Sequence, residues 1–198
     1  MAEHGQKSIS SGASTLICCL LVGAMVSVQG VSGADSKTAA VPASAAEAAF
    51  ARLKKLAGDW EAKAPKSYGN AVIRLNYRLI SDDSVLIETF KIEEQDLEMI
   101  TVYHLDGGQL ALTHYCAVNN QVRMLAKLDG APKSTADVRN IQFAFRDGSN
   151  LEHSHKQVMR DLGVAFEDDK HFVQTWRWRD ETTPTGEDMA VYRYTRVR

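Results

Sequence analysis

His114, Tyr115 and Cys116 stand side by side in the stretch LTHYCAV, residues 112–118. An imidazole can act as general base or metal ligand, a phenol as hydrogen-bond donor, and a thiol as nucleophile or ligand. His114 with Cys116 would begin a zinc site, but zinc takes about four ligands, or three and a water. No third ligand lies nearby, since His104 falls on the opposite face of its strand. A Cys116–His114 nucleophile pair would also need an orienting group and an oxyanion hole. Alternate residues of a strand lie about 6–7 Å apart at the backbone, which does not favour direct pairing. The plainest reading makes Cys116 a small buried hydrophobe and bonds His114 to Tyr103, Thr101 or a water. A ligand-contacting role is compatible with that reading. Glu88 in VLIETF faces Tyr77 if the hairpin before it has even register. Turned inward, its carboxylate needs donors or a cation, for which an interior arginine would serve. His153 and His155 in HSHK have the look of a metal pair but sit in a polar connection.

Which of these residues meet depends on the strands that carry them. From Trp60 onward the sequence alternates with period two. AVIRLNYRLI puts Ile73, Leu75, Tyr77 and Leu79 on one face, and SVLIETFKI follows after the turn SDD. EMITVYHL and QLALTHYC flank DGG, a hairpin signal. In the second of these strands His114 and Cys116 share a face with Leu110 and Leu112, while Tyr115 points away. The leucines mark the interior, and the hairpin brings Tyr103 and Thr101 to the same side, with Met99 nearby. VRMLAKL and NIQFAFRD come next. RDLGVAF and HFVQTWRWRD then form a second hairpin, and DMAVYRYTRVR closes the chain. Trp176 and Trp178 share a face with Phe172 and Gln174; Tyr192, Tyr194 and Arg196 share a face of the last strand. Eight to ten short strands in this rhythm predict an antiparallel up-and-down β-barrel, with a sandwich as the alternative.

One helix precedes the strands. In SAAEAAFARLKKLAGDW, Ser44 and Glu47 form a capping box. Phe50, Leu53 and Leu56 make an apolar stripe, and Gly58 reads as the stop. Residues 34–43, ADSKTAAVPA, read as a flexible leader, and residues 44–198 as the barrel domain. Residues 1–33 have the pattern of a secretory signal peptide: an early Lys7, an apolar run from about Leu16 to Val28, and small residues up to a cleavage point before Ala34. The apolar run falls short of a span of roughly 20 residues. An uncleaved anchor is the alternative. Cleavage removes Cys18 and Cys19 and leaves Cys116 alone, so the mature chain cannot form an internal disulfide. The expected location is secreted or periplasmic, with no membrane role for the mature domain. The 198 residues carry a formal charge of −2 and are 44 % hydrophobic, ordinary values for a globular chain. No Lys/Arg run is long enough to follow phosphates, so no nucleic acid is expected.

Gly58-Asp59-Trp60 after a short helix, with Arg196 near the chain end, resembles the calycin (lipocalin-like) pattern. There G-x-W opens the first strand, and a basic residue of the last strand packs over the tryptophan at the closed end. The resemblance implies a Trp60–Arg196 pair that stacks and bonds to carbonyls. From about Phe50 to Arg198 the chain also resembles small bacterial secreted proteins of lipocalin-like type with no assigned activity, through LKKLAGDWE, MITVYHLDGGQLALTHYC, VQTW and YTRVR. In the haem-binding nitrobindin-like barrels a glycine-rich segment follows the first tryptophan. EAKAPKSYGN stands there instead, which departs from the haem-binding pattern; no cofactor is expected.

A barrel of this size is either filled or keeps one cavity. The first expectation is a non-enzymatic binder of a small, largely apolar molecule, lined by Tyr77, Tyr103, His114, Cys116, Trp176, Trp178 and Tyr194. The second is an enzyme in the same cavity, with His114 as general base assisted by Glu88 or Tyr103. The third is a filled barrel serving as a structural or interaction domain.

Overall fold

The computed structural model describes residues 44–65, 69, 71–93, 95–128, 132, 134–153, 157–180 and 182–197. The expected signal peptide and leader lie outside them. A helix, α1 (Ala45–Lys54), is followed by β1 (Gly58–Lys63), β2 (Val72–Ile80), β3 (Val85–Ile92), β4 (Leu97–Asp106) and β5 (Gln109–Tyr115). Then come β6 (Gln121–Lys127), β7 (Asn140–Ser149), β8 (Gln157–Phe166), β9 (His171–Asp180) and β10 (Glu187–Arg196). Each strand pairs antiparallel with its sequence neighbour and β10 closes on β1, giving a ten-stranded up-and-down barrel compatible with a lipocalin-like fold. The sandwich alternative is excluded. Closure leaves no edge strand to be protected.

Local chemistry sets the registers. Gly107 and Gly108 both take positive φ (54° and 83°), the two-residue turn that matches strand twist. It pairs Thr101 with His114 and Tyr103 with Leu112. The β2–β3 turn pairs Tyr77 with Glu88, and β3–β4 pairs Glu88 with Thr101. Tyr77, Glu88, Thr101 and His114 therefore follow one another across adjacent strands as a single inward row. At Arg160 in β8 the register slips by one residue against β9, so Met159 and Leu162 both oppose tryptophans, Trp178 and Trp176.

The helix seals one end. Ser44 Oγ accepts from the Glu47 N–H and Glu47 Oε2 accepts from the Ser44 N–H, completing the capping box. Phe50, Leu53 and Leu56 are buried, joined by Ala46, Ala48 and Ala49. Lys54 Nζ donates to Asp83 O in the β2–β3 turn. The helix ends at Lys54 and not at Gly58, a correction to the expected stop. Gly58 instead opens β1 with φ 127°, where the chain reverses into the barrel wall. Beneath the helix Trp60 packs edge-on against Phe172 (4.7 Å between ring centroids), and Phe172 stacks on Tyr194 (4.8 Å). Arg196 Cζ lies 4.2 Å from the Trp60 ring centre, and its guanidinium donates to Lys55 O, Ala57 O and Asp169 O.

Candidate functional site

The inward row makes a polar layer across an otherwise apolar barrel. Glu88 is its centre. Oε2 accepts from Tyr77 OH (2.6 Å), Tyr103 OH (2.7 Å) and Gln174 Nε2 (2.9 Å). Oε1 receives only Thr101 Oγ1, at 3.4 Å. These partners are neutral donors, where an arginine was one expectation. Burial raises the Glu88 pKa, and the hydrogen bonds from Tyr77, Tyr103, Gln174 and Thr101 oppose that rise without cancelling it. The same burial, reinforced by Glu88, pushes the Tyr77 and Tyr103 hydroxyls well above 10, so both stay protonated donors.

His114 joins the layer through Thr101, whose Oγ1 lies 3.0 Å from Nδ1. Burial pushes the imidazole pKa down to about 4, so the ring is neutral at pH 7. Nε2 is buried and has no hydrogen-bond partner among the described residues. The ring lies against Trp176, with centroids 4.8 Å apart. Trp176 Nε1 in turn donates to Gln174 Oε1 (3.4 Å).

The layer divides the interior. On the helix side the barrel is filled by Trp60, Leu75, Leu86, Phe143, Phe172 and Tyr194, each at most 2 % exposed. On the other side lies a cavity of about 260 Å3. Its floor carries Glu88 and His114, and its wall is Phe90, Met99, Met159, Trp176, Trp178 and Tyr192. Cys116 to Val118, just past β5, contribute to the rim. Asp180 braces this end: it accepts from Gln157 Nε2 (2.7 Å) and the Thr182 N–H (2.9 Å), and bonds to the Trp178 side chain.

His114, Cys116, Trp176 and Trp178 thus meet around one cavity, with Glu88 beneath them. Tyr77 and Tyr103 face inward but aim their hydroxyls at Glu88, and neither lines the cavity. Tyr194 lies in the filled half, buried against Phe172. Trp60 and Arg196 are at the closed end. Burial raises the Cys116 thiol pKa, which opposes a reactive thiolate. Neither nitrogen of His114 bonds to Cys116: Nδ1 holds Thr101 and Nε2 holds nothing. Among the described residues, no three His, Cys, Asp or Glu side chains converge as metal ligands. His155, the second member of the HSHK pair, lies outside the described residues.

The sequence reading did not anticipate the part of Gln174 as a Glu88 donor, although an amide between inward Phe172 and Trp176 is a signal of a buried polar partner. Phe90 was findable as the next inward residue after Leu86 and Glu88. Met159 was not, because the slip at Arg160 changes which residues of β8 face inward.

No family model matches the sequence, and no curated protein matches it.

Proposed function

We propose that this chain is a secreted or periplasmic lipocalin-like protein, of the calycin type, that binds a small, largely apolar molecule in its barrel without transforming it. The observation that carries the reading is the aromatic-walled cavity of about 260 Å3 above a packed polar floor. Ligand sites are typically concave and apolar with a few convergent polar groups, over roughly 300–1,000 Å3. This cavity falls just under that range, which suits a ligand smaller than a drug-sized one. The Gly58–Trp60 motif with Arg196 over Trp60 supports the family reading. The N-terminal pattern supports export, with a mature chain that begins at Ala34.

The enzyme reading draws on the Glu88–Thr101–His114 chain, in which two titratable groups are linked. It is weaker on physical grounds. An imidazole with a pKa of about 4 is a feeble proton acceptor near neutrality, where a general base works best with a pKa close to the operating pH. Glu88 Oε2 is already occupied by three donors, and Oε1 takes the Thr101 hydroxyl.

Tryptophan emission offers a direct test. Trp176 and Trp178 line the cavity, whereas Trp60 is buried at the closed end. Bromobenzene, a small apolar heavy-atom quencher, is expected to quench the mature protein saturably. The Trp176→Phe/Trp178→Phe double variant is expected to lose the saturable part. Linear quenching, alike in both proteins, would mean that no apolar molecule occupies the cavity.

A further inference from the structure

Polar atoms around the cavity are few, and most are committed. The Trp176 indole N–H is given to Gln174, the Trp178 side chain and Gln157 are bonded to Asp180, and Glu88 Oε2 already accepts from three donors. His114 Nε2 is different. The residue is 3 % exposed and lines the floor, its Nδ1 edge is held by Thr101, and Nε2 is buried with nothing bonded to it. A nitrogen kept from water without a partner is costly, and a ligand that bonds to it recovers that cost.

With Glu88 ionised, the hydrogen-bond chain sets what Nε2 offers. Three donors converge on Glu88 Oε2, an arrangement that suits an ionised carboxylate. An ionised carboxylate only accepts, so the single Thr101 hydroxyl proton goes to Oε1. Thr101 Oγ1 then accepts from Nδ1–H of His114, and the neutral ring keeps its lone pair at Nε2. The floor of the cavity is therefore a hydrogen-bond acceptor, and it wants a donor.

We propose that His114 Nε2 is the recognition point of the cavity and selects small ring compounds bearing one uncharged hydroxyl, alcohols or phenols, seated hydroxyl-first on the imidazole. This rests on the reading that the cavity takes a small apolar ligand. A carboxylate head would meet both the Nε2 lone pair and Glu88. An ammonium head would surrender its water shell for the Nε2 lone pair and at most one further bond at Glu88 Oε1, which already takes the Thr101 hydroxyl. The aromatic wall takes the ring body, and the volume limits that body to about two fused rings.

The test is calorimetric titration of the mature protein with naphthalene, 2-methoxynaphthalene, 2-naphthol and 2-naphthoate, together with long-range 1H–15N correlation spectra of the histidines. 2-Naphthol is expected to bind on the order of tenfold tighter than naphthalene or 2-methoxynaphthalene, and 2-naphthoate weakest. The free protein should show a deprotonated Nε2 at His114, and 2-naphthol alone should shift that resonance. His114→Phe should lose the preference for 2-naphthol over 2-methoxynaphthalene. Thr101→Val leaves Nε2 in place but cuts the chain, so its His114 signal should show a mixture of tautomers. Equal affinity for 2-naphthol and 2-methoxynaphthalene, with naphthalene bound, would overturn the hydroxyl selection and leave the cavity reading intact. A wild-type His114 protonated at Nε2 would also overturn it. No binding of any of the four would remove both.

Discussion

Burial raises the Glu88 pKa and lowers that of His114, and the two titrate in opposite senses with respect to stability. His114 has a folded pKa of about 4 against an unfolded value near 6.5, so the unfolded chain binds more protons between those limits. Its contribution is whole above pH 6.5 and is lost as pH falls toward 4, in total about 3 kcal/mol. Glu88 has a folded pKa raised above its unfolded value. Its contribution is whole below the unfolded value and declines as pH rises through the folded one. Denaturant unfolding between pH 4 and pH 8 separates the two. The wild type is expected to weaken below pH 6.5, and His114→Phe, which removes the titrating ring, is expected to lose that falling limb. A limb of the same size in the variant would mean that His114 is not the group responsible.

The elements hold these residues through register, and register was largely legible. Alternation placed Ile73, Leu75 and Tyr77 on one face, which is inward, and the DGG turn put Thr101 and Tyr103 on the His114 face, where the structure pairs Thr101 with His114. Glu88 was expected to face Tyr77 only if the hairpin had even register, and it has. Two things could not be read locally. The slip at Arg160 breaks the two-residue period, so Met159 enters the cavity against the simple alternation. Gln174 reaches Glu88 across the barrel, from β9 to β3, and no local pattern encodes a contact over that separation. The helix boundary was also misplaced, because Gly58 serves the strand and not the helix end. Arg196 ties these elements together. Its three donor nitrogens reach carbonyls at Lys55, Ala57 and Asp169 while the guanidinium covers Trp60. A lysine keeps the charge but not the planar fork. Arg196→Lys is expected to lower stability by about 2 kcal/mol in denaturant unfolding, with bromobenzene quenching retained. Stability unchanged within about 0.5 kcal/mol would mean that the fork is not part of what closes the barrel.

The described residues form a barrel closed at one end by a helix and a Trp60–Arg196 seal, filled to its polar layer, and hollow beyond it. Phe143, Phe172 and Tyr194 fill the helix side, whereas around the cavity Phe90, Trp176 and Trp178 are buried but Met99, Met159 and Tyr192 are only half-buried. A barrel serving only as a scaffold gains from filling its interior, since an apolar void forfeits contacts. A retained hollow with an aromatic wall is what a binding protein needs. The most direct test is native mass spectrometry of the protein, purified gently from its own host. The account predicts an added mass, that of a small molecule, which leaves on denaturation. A bare polypeptide mass, together with tryptophan emission that bromobenzene does not quench saturably, would contradict it and leave a structural barrel.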